Sequence, residues 1–393
     1  MENVKLSEAL SELDKEFDKS TLDWLIGMYD GKSGGFYYSQ SSIDTDRFEP
    51  DIESTTQAIS IIAKLGLCDT DTSGRHYGMP EWFVNGAYEF LSSRQDEADG
   101  YFYDPVYRLT ANKAKKERNT ASVINCFDGY IYKKPLYPTP MERLKDNVTQ
   151  KTSADADLKM YSDKESFIAW LEETVAKRGD SYCWGSDLSS ARAMITAAGL
   201  LPVAVDWLKK RQNKENGTWE KDFNMTAVNG VLKISGFFNK DTEDFPNYEI
   251  YAKNVIEFTK TFSPGSAAHN WNPMGSLRVI LGNLRVAPSE QIKALLEDGI
   301  ADMIINTTAK MREFRQPDHG FGYGRKGASR ISNEVEVSLG LAEGDVNALA
   351  LMSLIYNEAY ELSGNNPSCV WKQYKEYFFE KLFEKRKNFI KNK

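Results

Sequence analysis

The sequence predicts an all-α chain folded as a single-domain (α/α)6 toroid, a barrel of inner and outer helices, and three observations point to it. Stretches apolar on nearly every face alternate with amphipathic, charge-rich stretches, six of each. A helix that is hydrophobic all round must be buried, whereas one with a polar face lies at a surface. A turn built from Gln, Gly and an aromatic residue recurs along the chain, the mark of a repeated helical unit. An acid or amide opens most of the buried stretches, where it can accept unpaired backbone N–H groups and complement the helix dipole. Length alone, 393 residues, suggests two or three domains on a prior of roughly 150 residues each. The repeats instead join the chain into one unit, with 1–30 as N-terminal outer helices and 31–393 as six inner/outer hairpins.

Taken in order, Leu6 to Phe17 and Thr21 to Tyr29 read as helices packed on the outside. Asp51-Ile52-Glu53 opens the first buried stretch, and the amphipathic Pro80 to Arg94 follows. Glu117-Arg118-Asn119 opens the second, Asp187 the third, Asp222-Phe223-Asn224 the fourth, Asn272 the fifth and Asp345-Val346-Asn347 the sixth. Lys164 to Lys177, Pro202 to Arg211, Tyr248 to Phe262, Glu290 to Arg312 and the tail from Lys372 are the remaining amphipathic helices. The recurring turns carry Gln95…Gly100-Tyr101-Phe102, Gln212…Gly217-Thr218-Trp219 and Gln316…His319-Gly320-Phe321. An opening version reads Asp30…Gly34-Gly35-Phe36-Tyr37, and Cys183-Trp184-Gly185 reads as a degenerate copy. Each is a helix end, a Gly-bearing turn and an aromatic that pins the turn to a neighbour.

These turns, with the acid-led helix starts, resemble the squalene-cyclase-type repeat of the terpenoid cyclase and protein prenyltransferase superfamily, from about Gly34 to Tyr360. Fold-related carbohydrate-active toroids, some pectate lyases among them, have a similar turn. The resemblance implies a ligand in the central cavity, at the mouth where the inner helices begin. Cyclases of this type that protonate an alkene carry a DxDD motif whose middle Asp is the acid; Asp51-Ile52-Glu53-Ser54 places Glu53 there. Asp69-Thr70-Asp71 and Asp155-Ala156-Asp157 read as turn residues. The prenyltransferase zinc site needs an Asp-x-Cys pair, and none of Cys68, Cys126, Cys183 and Cys369 has an Asp at that spacing. Sugar 2-epimerases of this barrel use paired His residues, which this chain lacks on its helices.

Composition narrows the function classes. A formal net charge of −8 argues against general nucleic-acid binding, which wants a basic surface. No apolar run has transmembrane length and the charged N-terminus lacks a secretory signal, so a cytoplasmic chain without membrane insertion is expected. Scattered cysteines and three histidines, none at an i, i+4 spacing, give no metal site. No cofactor is called for. Aromatic residues reach 12%, and the recurring turns hold many of them.

Aromatics beside carboxylates at one mouth suit an oligosaccharide, whose rings stack while its hydroxyls bond acids and amides. A carbohydrate-active enzyme, glycoside hydrolase or polysaccharide lyase, is therefore the first expectation. Hydrolysis needs two carboxylates flanking the bond, and Glu53 and Asp345, from the first and last inner helices, are the candidates, with Asp51 and Asp222 behind them. Tyr37, Tyr103, Glu117, Asn119, Trp184, Asp187, Asn224, Trp271, Glu343 and Asn347 are expected to bind substrate. Elimination needs a base and a cation to neutralise a uronate, and His269, His319, Tyr323 and Arg325 are placed for that. The alternatives are a terpenoid-cyclase-like enzyme with Glu53 as acid, and a non-catalytic toroidal binding module.

Overall fold

The computed structural model describes residues 4–105, 113–143, 160–332 and 335–391. Asp155 and Asp157 lie outside the described residues. The chain is mostly helical. In order come α1 (Val4–Asp14), α2 (Lys19–Met28), the single turn α3 (Gln40–Ile43) and α4 (Ile52–Lys64). A two-residue hairpin, β1 (Asp69–Thr70) and β2 (His76–Tyr77), precedes α5 (Glu81–Ser92) and α6 (Lys113–Cys126), which runs into a π turn at Phe127–Ile131. Then follow α7 (Lys164–Arg178), α8 (Ser181–Ala197), α9 (Leu201–Arg211), α10 (Met225–Ile234), α11 (Tyr248–Thr261), α12 (Ala267–Gly282) and α13 (Glu290–Met311). A second hairpin, β3 (Ile331–Ser332) and β4 (Val335–Glu336), leads to α14 (Val346–Ser363) and α15 (Lys375–Lys391).

The apolar stretches are the buried helices. In α4 the residues Ile52, Thr55, Ala58, Ile59, Ile61 and Ile62 are buried on every face, and α14 is buried at Leu349, Met352, Ile355, Tyr356 and Ala359. These core helices run side by side in one direction. Gly230 is closed by Ser181 and Gly185 by Ile234, so α8 and α10 approach closely and advance together. Glu53 meets Arg118 while Ser60 meets Tyr130, which makes α4 and α6 parallel. Asn272 donates to Asn229 between α12 and α10, and Trp271 and Arg278 reach Glu358 and Glu361 from α12 to α14. Finally α14 packs back on α4, where Gln57 donates to Asn347 at 2.9 Å. Amphipathic helices cover this layer: α13 lies against α1, α11, α12 and α14, and α15 against α2.

The recurring turns share one construction. An isolated bridge closes each, pairing Tyr29 with Phe36, Gln95 with Phe102, Asn213 with Thr218 and Arg315 with Phe321. The motif Gln is buried and staples the loop: Gln95 donates to the carbonyls of Gly100 and Tyr137, and Gln212 to that of Gly217 at 2.9 Å. Gly34, Gly100 and Gly217 take the left-handed backbone that favours glycine. In the fourth turn His319 (φ 69°), not Gly320, occupies that conformation.

Several helix starts differ from expectation because a cap upstream wins. Asp180 accepts from Cys183 N and starts α8, so Trp184 and Asp187 lie inside a helix rather than at a turn or a start. Ser266 caps α12, which places Trp271 and Asn272 in its interior. Glu117 and Asn119 likewise sit within α6. The cap of α10 is Asn224, leaving Asp222 exposed two residues before it. The starts at Asp51 and Asp345 are caps as expected, accepting from Ser54 N and Ala348 N.

Candidate functional site

The N-terminal ends of α4 and α14 bring Asp51, Glu53, Tyr38 and Asp345 together, with α6 supplying cations beside them. Glu53 is buried in the first turn of α4. Its Oε1 accepts from Arg118 Nε at 2.8 Å, and its Oε2 accepts from Lys115 Nζ at 3.0 Å and Ser332 Oγ at 3.2 Å. Lys115 and Arg118 are three residues apart on α6 and therefore share a face. Burial alone would raise the Glu53 carboxyl, but the charges of Arg118 and Lys115 and their hydrogen bonds hold it down at about 2.

Asp345 has the opposite fate. It is fully buried, and burial pushes it up to about 7 against the backbone N–H groups of Ala348 and Tyr323, both 2.7 Å away. The buried Tyr38 phenol lies in the field of Asp345, Glu53 and Asp51 and is raised well above its usual range, burial being the main cause. Asp104 accepts from Ile52 N at 2.9 Å, and burial with the nearby Asp51 charge brings it to about 7. Burial raises Asp51 as well.

Arg118 turns this buried cluster toward solvent. Its side chain keeps 49% of its surface open, against 4% for Glu53 and 2% for Lys115. Tyr182, Tyr323 and Lys233 all lie within its electrostatic reach. Burial and the Arg118 charge lower the Lys233 ammonium, which sits 5.6 Å from the centre of the Tyr182 ring. The Tyr323 carbonyl accepts from Ala267 N at 2.8 Å, next to Ser266, the residue that caps α12, and His269 is in the first turn of that helix. Burial lowers the His269 imidazole, so it is neutral near pH 7. Gln57 and Asn347 add an amide pair between α4 and α14.

Among the described residues, half-open Arg118 and partly buried Lys233 stand at the edge of this cluster, above the buried Glu53–Lys115 pair. A guanidinium so placed has the chemistry to pair with an anionic group, a carboxylate in bidentate contact above all. Among the described residues no group of His, Cys, Asp and Glu side chains is placed to hold a metal ion, and no helix is long and apolar enough to cross a membrane.

Other expected site residues are employed elsewhere. Glu343 accepts from Ser41 N at 2.7 Å and Ser39 Oγ at 3.0 Å, which fixes α3. Trp184 packs edge-on against Trp207 and Trp219, and Trp271 donates to Glu358 at 2.7 Å. Asp187 pairs with Arg178 on the α7 side. Arg325 pairs with Glu313 and donates to Ser263. Tyr103 donates to Asp99 of its own turn, Tyr37 is half-buried beside Met28, and the His319 carbonyl accepts from Arg315. Asn119 donates to Asp104 at 3.4 Å, and Glu117 is exposed. Asn224 is exposed and spends its side chain on the cap, and Asp222 makes no part of the cluster.

Glu53 and Asp345 both act on the Tyr38 phenol, and both are buried. Lys115, Arg118 and Lys233 were missed by sequence reasoning. The basic run from Lys113 to Arg118 was the available signal, with its i, i+3 pair. No family model, no curated protein and no solved structure matches this chain.

Proposed function

We propose that this chain is a carbohydrate-active enzyme of polysaccharide-lyase type, and that its parallel core helices close into an (α/α)6 toroid whose mouth takes a uronate-bearing oligosaccharide. The packing of α14 back on α4 supports the closed ring. The observation that carries the functional reading is Arg118: half open, oriented by buried Glu53, and within electrostatic reach of Lys233, Tyr182 and Tyr323. Arg118 and Lys233 bind the sugar carboxylate and so acidify the C–H beside it. Neutral His269 removes that proton, the electron pair forms a C=C bond, and the glycosidic C–O bond breaks. The Tyr323 or Tyr182 phenol protonates the departing oxygen.

The test is incubation of the purified chain with uronate-containing and neutral oligosaccharides, following the conjugated double bond that elimination leaves. Turnover of the uronate set alone is expected, falling at least about 100-fold in Arg118→Ala and His269→Ala with helicity kept. New reducing ends without the double bond would favour hydrolysis instead. Binding without turnover would leave a binding module, and indifference to every anionic sugar would overturn the reading.

A further inference from the structure

The far end of α4 carries a second group of reactive side chains. Lys64 lies eleven residues beyond Glu53, about 16 Å along the axis at ~1.5 Å per residue. Its Nζ donates to Ser60 Oγ one turn earlier, and Ser60 Oγ is also 3.1 Å from the Tyr130 hydroxyl. His76 of β2 stacks on Tyr130 with ring centroids 5.0 Å apart, which fixes the phenol. Ser60, Lys64, Tyr130 and His76 are each partly exposed, so a small molecule can reach them. A hydroxyl held between an amine and a phenol is a nucleophile with a base and an orienting partner in hydrogen-bond reach. The geometry assigns Ser60, Lys64 and Tyr130 to an acyl-transfer site, in which Ser60 attacks a small carboxylic ester and Lys64 takes its proton.

The charges around the amine suit this role. Burial lowers the Lys64 ammonium to about 8, against the opposing pull of Glu358 and Glu361 on α14. His76 is itself lowered by burial and by Lys64, so it adds little positive charge near pH 7. A useful fraction of Lys64 is therefore neutral at that pH. As the Ser60 O–H proton passes to Nζ, Oγ bonds the acyl carbon and the carbonyl electron pair moves to its oxygen. Collapse expels the alcohol, which leaves with the proton from Lys64. Water then attacks the acyl-serine by the same steps, Lys64 moving its proton to Ser60 Oγ, and the acid is released.

Two measurements decide it on the intact chain. A fluorophosphonate probe followed by mass spectrometry should place one adduct on Ser60, and Ser60→Ala should abolish it. Hydrolysis of p-nitrophenyl acetate should rise with pH through about 8 as Lys64 loses its proton. That rate should fall about 100-fold or more in Lys64→Arg, which keeps the charge and removes the base. Lys64→Gln repeats the test without a charge, and circular dichroism checks that each variant is folded. No Ser60 adduct on the folded chain, or a folded Lys64 variant with unchanged rate and pH profile, would overturn the assignment.

Discussion

The starts of α4 and α14 share a buried Asp cap and differ in what stands beside it. Each begins with a buried Asp cap, Asp51 or Asp345, and the two helices pack against each other. At α4 an additional carboxylate, Glu53, meets Lys115 and Arg118 and stays ionised, held at about 2. At α14, among the described residues, no cation bonds Asp345, and it rises to about 7 with backbone N–H groups, those of Ala348 and Tyr323 among them, as its support. Burial penalises both charges; the difference is whether a cation stands within hydrogen-bonding distance. An acid at a helix start is therefore not one kind of feature. Backbone N–H groups make a cap, whereas Lys115 and Arg118 make an anchored, solvent-facing guanidinium.

The comparison breaks most readily at Glu53. Glu53→Gln removes the negative charge facing a buried Lys115 and a half-open Arg118, and truncating one side of a buried ion pair costs about 3–5 kcal/mol. Urea unfolding should register a loss of that order. A loss below about 1 kcal/mol would mean that the two cations are held by other means.

Acidity sharpens the contrast next. Asp345 and Asp104 have folded values near 7, above their unfolded ones, so their contribution is fully present below about pH 4 and lost as pH rises through about 7. Glu53 runs the other way: its contribution is present above about pH 4.5 and lost as pH falls toward 2. Asp104→Asn keeps an oxygen for Ile52 N–H while removing the titration. Its stability should decline less than that of the parent between about pH 5 and pH 8, by on the order of 1–3 kcal/mol. Parallel decline in both proteins, measured by denaturant unfolding at stepped pH, would show that Asp104 is not a source of the slope.

The helices were far more legible in the sequence than the site. The stretch Pro80 to Arg94 is realised as Glu81–Ser92, and Tyr248 to Phe262 as Tyr248–Thr261, because amphipathic periodicity is a property of many residues at once. Helix starts rest on one residue, and there the reading slipped. Asp187 looked like a start because small and apolar residues follow it, yet Asp180 already satisfies the first N–H groups of α8. Starting the second buried stretch at Glu117 had the further effect of leaving Lys115 outside the helix and hiding its shared face with Arg118. The opposite ionisation of Glu53 and Asp345 depends on Lys115 and Arg118, which lie more than sixty residues along the chain from Glu53. No local pattern carries that information.

Asp187 supplies the smallest effect and the cleanest control for the comparison. Its carboxylate pairs with Arg178 through two hydrogen bonds of 2.6 and 2.7 Å, as short as the 2.6 and 2.8 Å from Arg118 to Glu53. Judged by distance, it is the equal of the Glu53 pair. Its side chains are 47% and 32% exposed, however, so solvent screens the attraction and little is lost when it goes. Asp187→Asn should change unfolding stability by no more than about 0.5 kcal/mol, and less at high salt. A cost approaching that of Glu53→Gln would show that proximity, not burial, sets the strength of ion pairs in this chain. The contrast between the two helix starts would then lose its physical basis.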